Sequence, residues 1–147
     1  SDSVTAELIC DGFHIAPATL RIAFQLLGED RSVIVSDAMM ASGLADGDFE
    51  LGGQKVYVRD GKALLADGTI AASTTNLYDE FRNVLRFGIP FRQALKSCTI
   101  NPARVIHVDK ETGSIAQGKR ADLLVLDRDM DIRMVIARGE IVVNHDR

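Results

Sequence analysis

The run Val33-Ile34-Val35-Ser36-Asp37 constrains this chain more than any other stretch, because β-prone residues end there in a carboxylate. Such a run makes a buried strand, and a barrel strand that ends in an acid places that acid at the rim where the chemistry is done. An equivalent apolar run, Leu8-Ile9-Cys10, comes earlier and leads into Asp11-Gly12-Phe13-His14. Between the two, Pro17 suits a first helical position, Leu20, Ala23, Phe24 and Leu27 fall at i, i+3, i+4 and i+7, and Gly28 stops the helix. The order strand, helix, strand is a βαβ unit. Its strands are expected to be parallel, which brings His14 and Asp37 to one side of the sheet. A carboxylate there can shuttle protons, and an imidazole can donate to a carbonyl or bind a substrate hydroxyl. Taken alone, Asp37 reads equally well as a turn cap, and a loop histidine such as His14 is more often a surface or hydrogen-bonded residue than a ligand.

Beyond Asp37 the pattern changes. Met39 to Gly47 is a loop of small residues, and about 49–68 reads as a β-hairpin insertion, with Asp60-Gly61 as its two-residue turn and Gly52-Gly53 and Asp67-Gly68 at its ends. Thr69 to Thr74 offers small side chains that let a ligand approach the backbone. Asn76 is placed to cap a helix with Leu77, Phe81, Val84 and Leu85 as its stripe. Pro90 opens a second helix with Phe91, Ala94, Leu95 and Cys98 at helical spacing, and Asn101-Pro102 a short third. From Asp109 the chain is β in type, with Gly113-Ser114-Ile115, Leu123–Leu126, Met134–Ala137 and Ile141–Val143 separated by turn glycines. The fold class expected is α/β, with residues 1–108 carrying βα units and residues 109–147 a small sheet.

Composition narrows the function classes. The net charge is -4, with no block of like charges and no basic stripe, so nucleic acid is not an expected partner. No apolar run approaches the roughly 18 residues of a membrane span, and no leader precedes the first strand, so a soluble cytoplasmic protein is expected. Cys10 and Cys98 are far apart in apolar runs and read as free thiols, without the spacing of a zinc site. His107 and His145 have no second ligand at strand or helix spacing and read as surface residues.

The pattern Gly113-x-Ile115-x-x-Gly118-x-x-Ala121-Asp122-Leu123-x-Val125-Leu126-Asp127 resembles the C-terminal signature of the amidohydrolase superfamily. More narrowly, Cys10-Asp11-Gly12-Phe13-His14, Val35-Ser36-Asp37-Ala38, Leu51-Gly52-Gly53, Asp60-Gly61, Asp67 to Ser73, Arg82-Asn83 and Asn101-Pro102-Ala103-Arg104 are similar to the N-acetylglucosamine-6-phosphate deacetylase family within it. The resemblance implies the C-terminal part of a metal-dependent (β/α)8 TIM barrel, contributing its last strands and helices, with part of a small β-sandwich. A whole barrel takes about 250 residues, and this chain has 147.

The same resemblance implies hydrolysis of the N-acetyl group of N-acetylglucosamine 6-phosphate to glucosamine 6-phosphate and acetate. Asp37 matches the catalytic aspartate, which takes a proton from a metal-activated water and later hands one to the departing amine. His14 matches the substrate-binding histidine, with Asp11, Gly12 and Phe13 in its loop. Ile70, Ala71 and Ala72 match a segment whose backbone meets the substrate, although Ala72 stands where the family usually has Gly and its methyl is expected to tighten the sugar contact. The implied cofactor is a divalent metal, zinc or similar, whose principal ligands, a Glu and two His, have no counterpart here, so the chain alone is expected to be inactive. The implied partners are an amino-sugar phosphate and a second copy in a homo-oligomer, a dimer being the expected form. Three other readings stand beside it: deacetylation of the galactosamine epimer, another amidohydrolase activity, and a non-catalytic binding or structural module.

Overall fold

The computed structural model describes residues 4–145. Strand β1 (Ala6–Ile9), helix α1 (Pro17–Leu27) and strand β2 (Ser32–Val35) form the βαβ unit, and the strands pair in parallel with Ala6 opposite Ser32 and Ile9 opposite Val35. Pro17 occupies the first turn of α1, where its missing N–H costs nothing, and the helix ends at Gly28. Leu20 and Phe24 are the buried residues of α1. Burying each stabilises the fold by about 1.5–3 kcal/mol.

An antiparallel meander follows: β3 (Gly47–Leu51), β4 (Gln54–Arg59), β5 (Lys62–Leu64) and β6 (Ile70–Ala72), hydrogen-bonded in that order. The ribbon thus runs further than the stretch 49–68, and Gly52-Gly53 and Asp67-Gly68 are turns within it rather than at its ends. At Asp60-Gly61, the two-residue turn expected from the sequence, both residues have positive φ (50° and 69°), as a type I′ turn requires. Met39, Ala41, Val56, Val58, Ala63 and Ala72 form one buried cluster beneath the ribbon.

Helix α2 (Leu77–Arg86) begins at Asn76, whose Oδ1 accepts the Asp79 amide at 3.0 Å. Helix α3 (Phe91–Cys98) packs with α2, and both lie against β2. The face that α3 buries is not the one its apolar spacing suggests. Phe91 and Leu95 are 53% and 42% exposed, whereas Gln93, Ala94 and Ser97 are buried. The reason is hydrogen bonding: Gln93 Nε2 donates to the carbonyl of Gly28 (2.8 Å), just past the end of α1, and to that of Phe24 (2.7 Å), which also accepts the Gly28 amide. Ser97 Oγ meets Ser32 Oγ at 2.7 Å. Buried Asn101, in the short helix α4 (Ile100–Val105), donates to the carbonyls of Glu29 and Ser32 and so ties the turn that leads into β2.

The chain divides into two compact units, Ser1–Asn101 and Pro102–Arg147. The second contains a three-stranded antiparallel sheet of β7 (Leu123–Leu126), β8 (Ile132–Ala137) and β9 (Glu140–Asn144). Gly113-Ser114-Ile115 is not a strand, and Ile115 is 90% exposed. That segment is instead anchored by Lys119, whose Nζ donates to the Asp109 carbonyl and to Ser114 Oγ. Among the described residues no helix is long and apolar enough to cross a membrane. Cys10 and Cys98 are free, the first buried and the second partly so.

Candidate active site

The loop after β1 is built by Asp11. Its Oδ1 accepts the amides of Phe13 (2.8 Å) and His14 (2.9 Å), and its Oδ2 meets His14 Nδ1 at 2.7 Å. Gly12 lets the chain turn there. Its φ is +78°, and a Cβ would come within 3.0 Å of the Phe87 ring, so a side chain is opposed by both backbone and neighbour. Phe13 packs edge-on to His14, and Lys62 Nζ lies 5.1 Å from the Phe13 ring centroid, which links the loop to the ribbon.

Burial pushes the Asp11 carboxyl up, but the amides of His14 and Phe13 and the His14 imidazole outweigh it and hold the group below its ordinary value. An ionised carboxylate only accepts, so His14 Nδ1 carries the hydrogen and Nε2 is the ring's remaining polar atom. The side chains of His14 and Asp11 are 16% and 8% exposed. Every contact the Asp11 carboxylate makes here is inside its own loop, which suits holding His14 more than touching a ligand.

Asp37 stands two residues beyond β2, exposed, with a φ of 46° that is unusual outside glycine. Ser73 holds it in that conformation: the Ser73 amide donates to the Asp37 carbonyl at 3.1 Å, and the Met39 amide donates to the Ser73 carbonyl at 2.9 Å. Ala38 and Ser73 form an isolated parallel bridge. The structure therefore sets the chain around Asp37 beside the end of β6, while the parallel pairing of β1 and β2 carries Asp37 and the Asp11-to-His14 loop past the same strand ends. Along β6, Ile70 is exposed, Ala71 half-buried and Ala72 buried in the ribbon cluster. Ala72 is thus enclosed by protein, which runs against an outward sugar contact by its methyl.

Glu80 is the residue that sequence reading missed. It is fully buried on α2, and the Thr75 hydroxyl donates to its Oε1, while Oε2 has no hydrogen-bond partner. Burial pushes this carboxyl up to about 7, the Thr75 bond and the facing Cys10 amide pull it down, and Asp11 and His14 act on it in opposite directions. Burial likewise raises the Cys10 thiol and pushes Cys98 up to about 12, Glu80 adding to both, so neither is a ready nucleophile. A signal was present: Leu77, Glu80, Phe81 and Val84 fall at i, i+3, i+4 and i+7, so Glu80 occupies a position of the apolar stripe.

Among the described residues there is no group of three or more His, Cys, Asp and Glu side chains that could hold a metal ion. The Asp11–His14 pair is already committed to itself. The described residues do not fit a metal centre of their own.

A strand-end carboxylate, a carboxylate-held histidine and a βαβ frame are joined here with a direct family match. The sequence profile of the Amidohydrolase family matches residues 6–142, and the chain belongs to that family. It is 35% identical over 141 residues to N-acetylglucosamine-6-phosphate deacetylase of Bacillus subtilis (strain 168), covering 95% of this chain and 36% of that protein. It is 32% identical to a putative N-acetylgalactosamine-6-phosphate deacetylase of Escherichia coli (strain K12), covering 92% of this chain and 81% of that one. A solved structure from Mycobacterium smegmatis, an aspartate-to-alanine variant of N-acetyl-D-glucosamine-6-phosphate deacetylase in complex with N-acetyl-D-glucosamine-6-phosphate, superimposes with a TM-score of 0.91 at 37% identity. That match covers 98% of this chain and 39% of the other. The chain thus spans little more than a third of the Bacillus and Mycobacterium proteins.

Proposed function

We propose that this chain is the C-terminal part of a metal-dependent deacetylase that converts N-acetylglucosamine 6-phosphate to glucosamine 6-phosphate and acetate. On this reading residues 1–108 supply the last strands and helices of a (β/α)8 barrel with the ribbon as an insertion, and residues 109–147 supply strands of a small β-sandwich. The observation that carries it is the parallel β1–β2 pair, whose ends lead to His14 and to Asp37. In barrel enzymes the working residues stand at that end of the strands.

The chemistry follows from the groups. Water adds to the acetyl carbonyl and its proton passes to the Asp37 carboxylate; the C–N bond then breaks, the amine nitrogen takes the proton from Asp37, and acetate leaves. His14, with Nδ1 held by Asp11, presents Nε2 to the substrate. Asp11, Gly12 and Phe13 shape the loop around it, and the Ile70-Ala71-Ala72 backbone borders the sugar. Zinc or a similar divalent ion would supply Lewis acidity, with its ligands on residues outside this chain. The setting proposed is a cytoplasmic homo-oligomer acting on a small amino-sugar phosphate.

The test is acetate release by the full-length protein that carries this chain, measured on both epimers. A higher kcat/KM for the gluco substrate is expected. The Escherichia coli relative favours a second reading, in which the galacto epimer is the better substrate. Release from neither would leave the non-catalytic module.

A further inference from the structure

Glu80 lies on the apolar stripe of α2, yet a fully buried carboxyl stands there with no hydrogen-bond partner for its Oε2. An ionisable group in such a place is expensive, and a local choice that breaks the packing rule marks another constraint on the residue. Besides the Cys10 amide that faces it, a chain of hydrogen bonds runs from it toward the end of β2. The Thr75 hydroxyl donates to Glu80 Oε1. Thr75 Oγ1 lies 2.8 Å from Ser73 Oγ, and the Thr75 amide donates to the same Ser73 Oγ at 3.0 Å. Buried Ser73 in turn fixes the backbone on both sides of Ala38, through the Asp37 carbonyl and the Met39 amide. Asp37 at φ 46° benefits from such support, because residues with a Cβ adopt this region less readily than glycine.

We infer that Glu80 is a positioning residue for Asp37, acting through Thr75 and Ser73, an inference that rests on the reading of Asp37 as the proton-transfer group. Glu80 touches no substrate. It orients the Thr75 hydroxyl, Thr75 orients Ser73, and Ser73 sets the direction in which the Asp37 carboxylate leaves the strand end. Displacing a reacting group by about 1 Å can cost on the order of 100-fold in rate, so a loosened relay is read in turnover.

The experiment uses the full-length protein and Thr75→Val, which removes the hydroxyl and keeps the branched shape. Amide hydrogen exchange at Ser73 and Met39 is expected to quicken by about tenfold while the β1 amides keep their rates. The kcat is expected to fall roughly 10–100-fold with KM within about threefold, and Thr75→Ser is expected to recover most of it. Glu80→Leu should reproduce Thr75→Val; if it fails to fold, Thr75→Val decides. In an Asp37→Asn background Thr75→Val is expected to add no further loss. Unchanged exchange at Ser73 and Met39 overturns the tether whatever the activity does. Faster exchange with the same fold-loss in both backgrounds overturns the link to Asp37. Full turnover in Asp37→Asn alone has a separate meaning: it removes the reading of Asp37, and the positioning role falls with it.

Discussion

Asp11 Oδ2 takes the Nδ1 hydrogen of His14 at 2.7 Å, so a carboxylate three residues upstream sets which nitrogen of the imidazole is left for other work. Asp11→Asn keeps an oxygen for the loop amides but presents no second acceptor to Nδ1. If His14 binds the substrate as proposed, a loss of roughly 10–100-fold in kcat/KM is expected, by analogy with the partners that orient metal-bound histidines. Steady-state kinetics on the full-length protein measures it, with His14→Ala as the comparison. The pH sign follows from the lowered Asp11 carboxyl: its stabilisation is present above the ordinary value of 3.8 and is lost as pH falls through the folded value.

Glu80 gives the opposite sign. Its carboxyl is raised from 4.5 to about 7, so the folded state holds a proton that the unfolded chain has released, and stability declines as pH rises between those values. Cys10, Asp11, His14 and Cys98 face it and are present in both proteins compared. Glu80→Gln cannot ionise. Urea unfolding at pH 5 and pH 8 is expected to show the variant gaining about 2 kcal/mol on the wild type across that interval. A constant difference at the two pH values would mean that Glu80 does not titrate there.

Gly12→Ala places a methyl at φ +78° and against the Phe87 ring. A loss of about 1–2 kcal/mol is expected, the cost of a left-handed conformation for a residue with a Cβ. Thermal unfolding measures it.

The βαβ unit, the Asp60-Gly61 turn, the Asn76 cap and the three C-terminal strands were legible because each depends on neighbours in sequence: a periodicity, a turn pair or a side chain three residues from its amide. The buried face of α3 was not. Gln93 reaches carbonyls 69 and 65 positions back in the chain, and no local pattern announces a side chain that serves another helix's end. The site divides in the same way. Asp37 and His14 stand out at strand ends, and Asp11 could have been paired with His14 from their spacing. The tie from Glu80 through Ser73 to Asp37 was hidden, because it joins α2 to the end of β2 through bonds made only once the ribbon has folded.

The most direct measurement is the turnover of Asp37→Asn in the full-length protein, with metal content and unfolding midpoint recorded on the same sample. The side chain is isosteric and, being exposed, is not needed for the core. If Asp37 carries the proton between water and amine, kcat is expected to fall by on the order of 10²–10⁴ with metal content and midpoint unchanged. Turnover within a few fold of the wild type would contradict that role and return Asp37 to a residue that closes a turn.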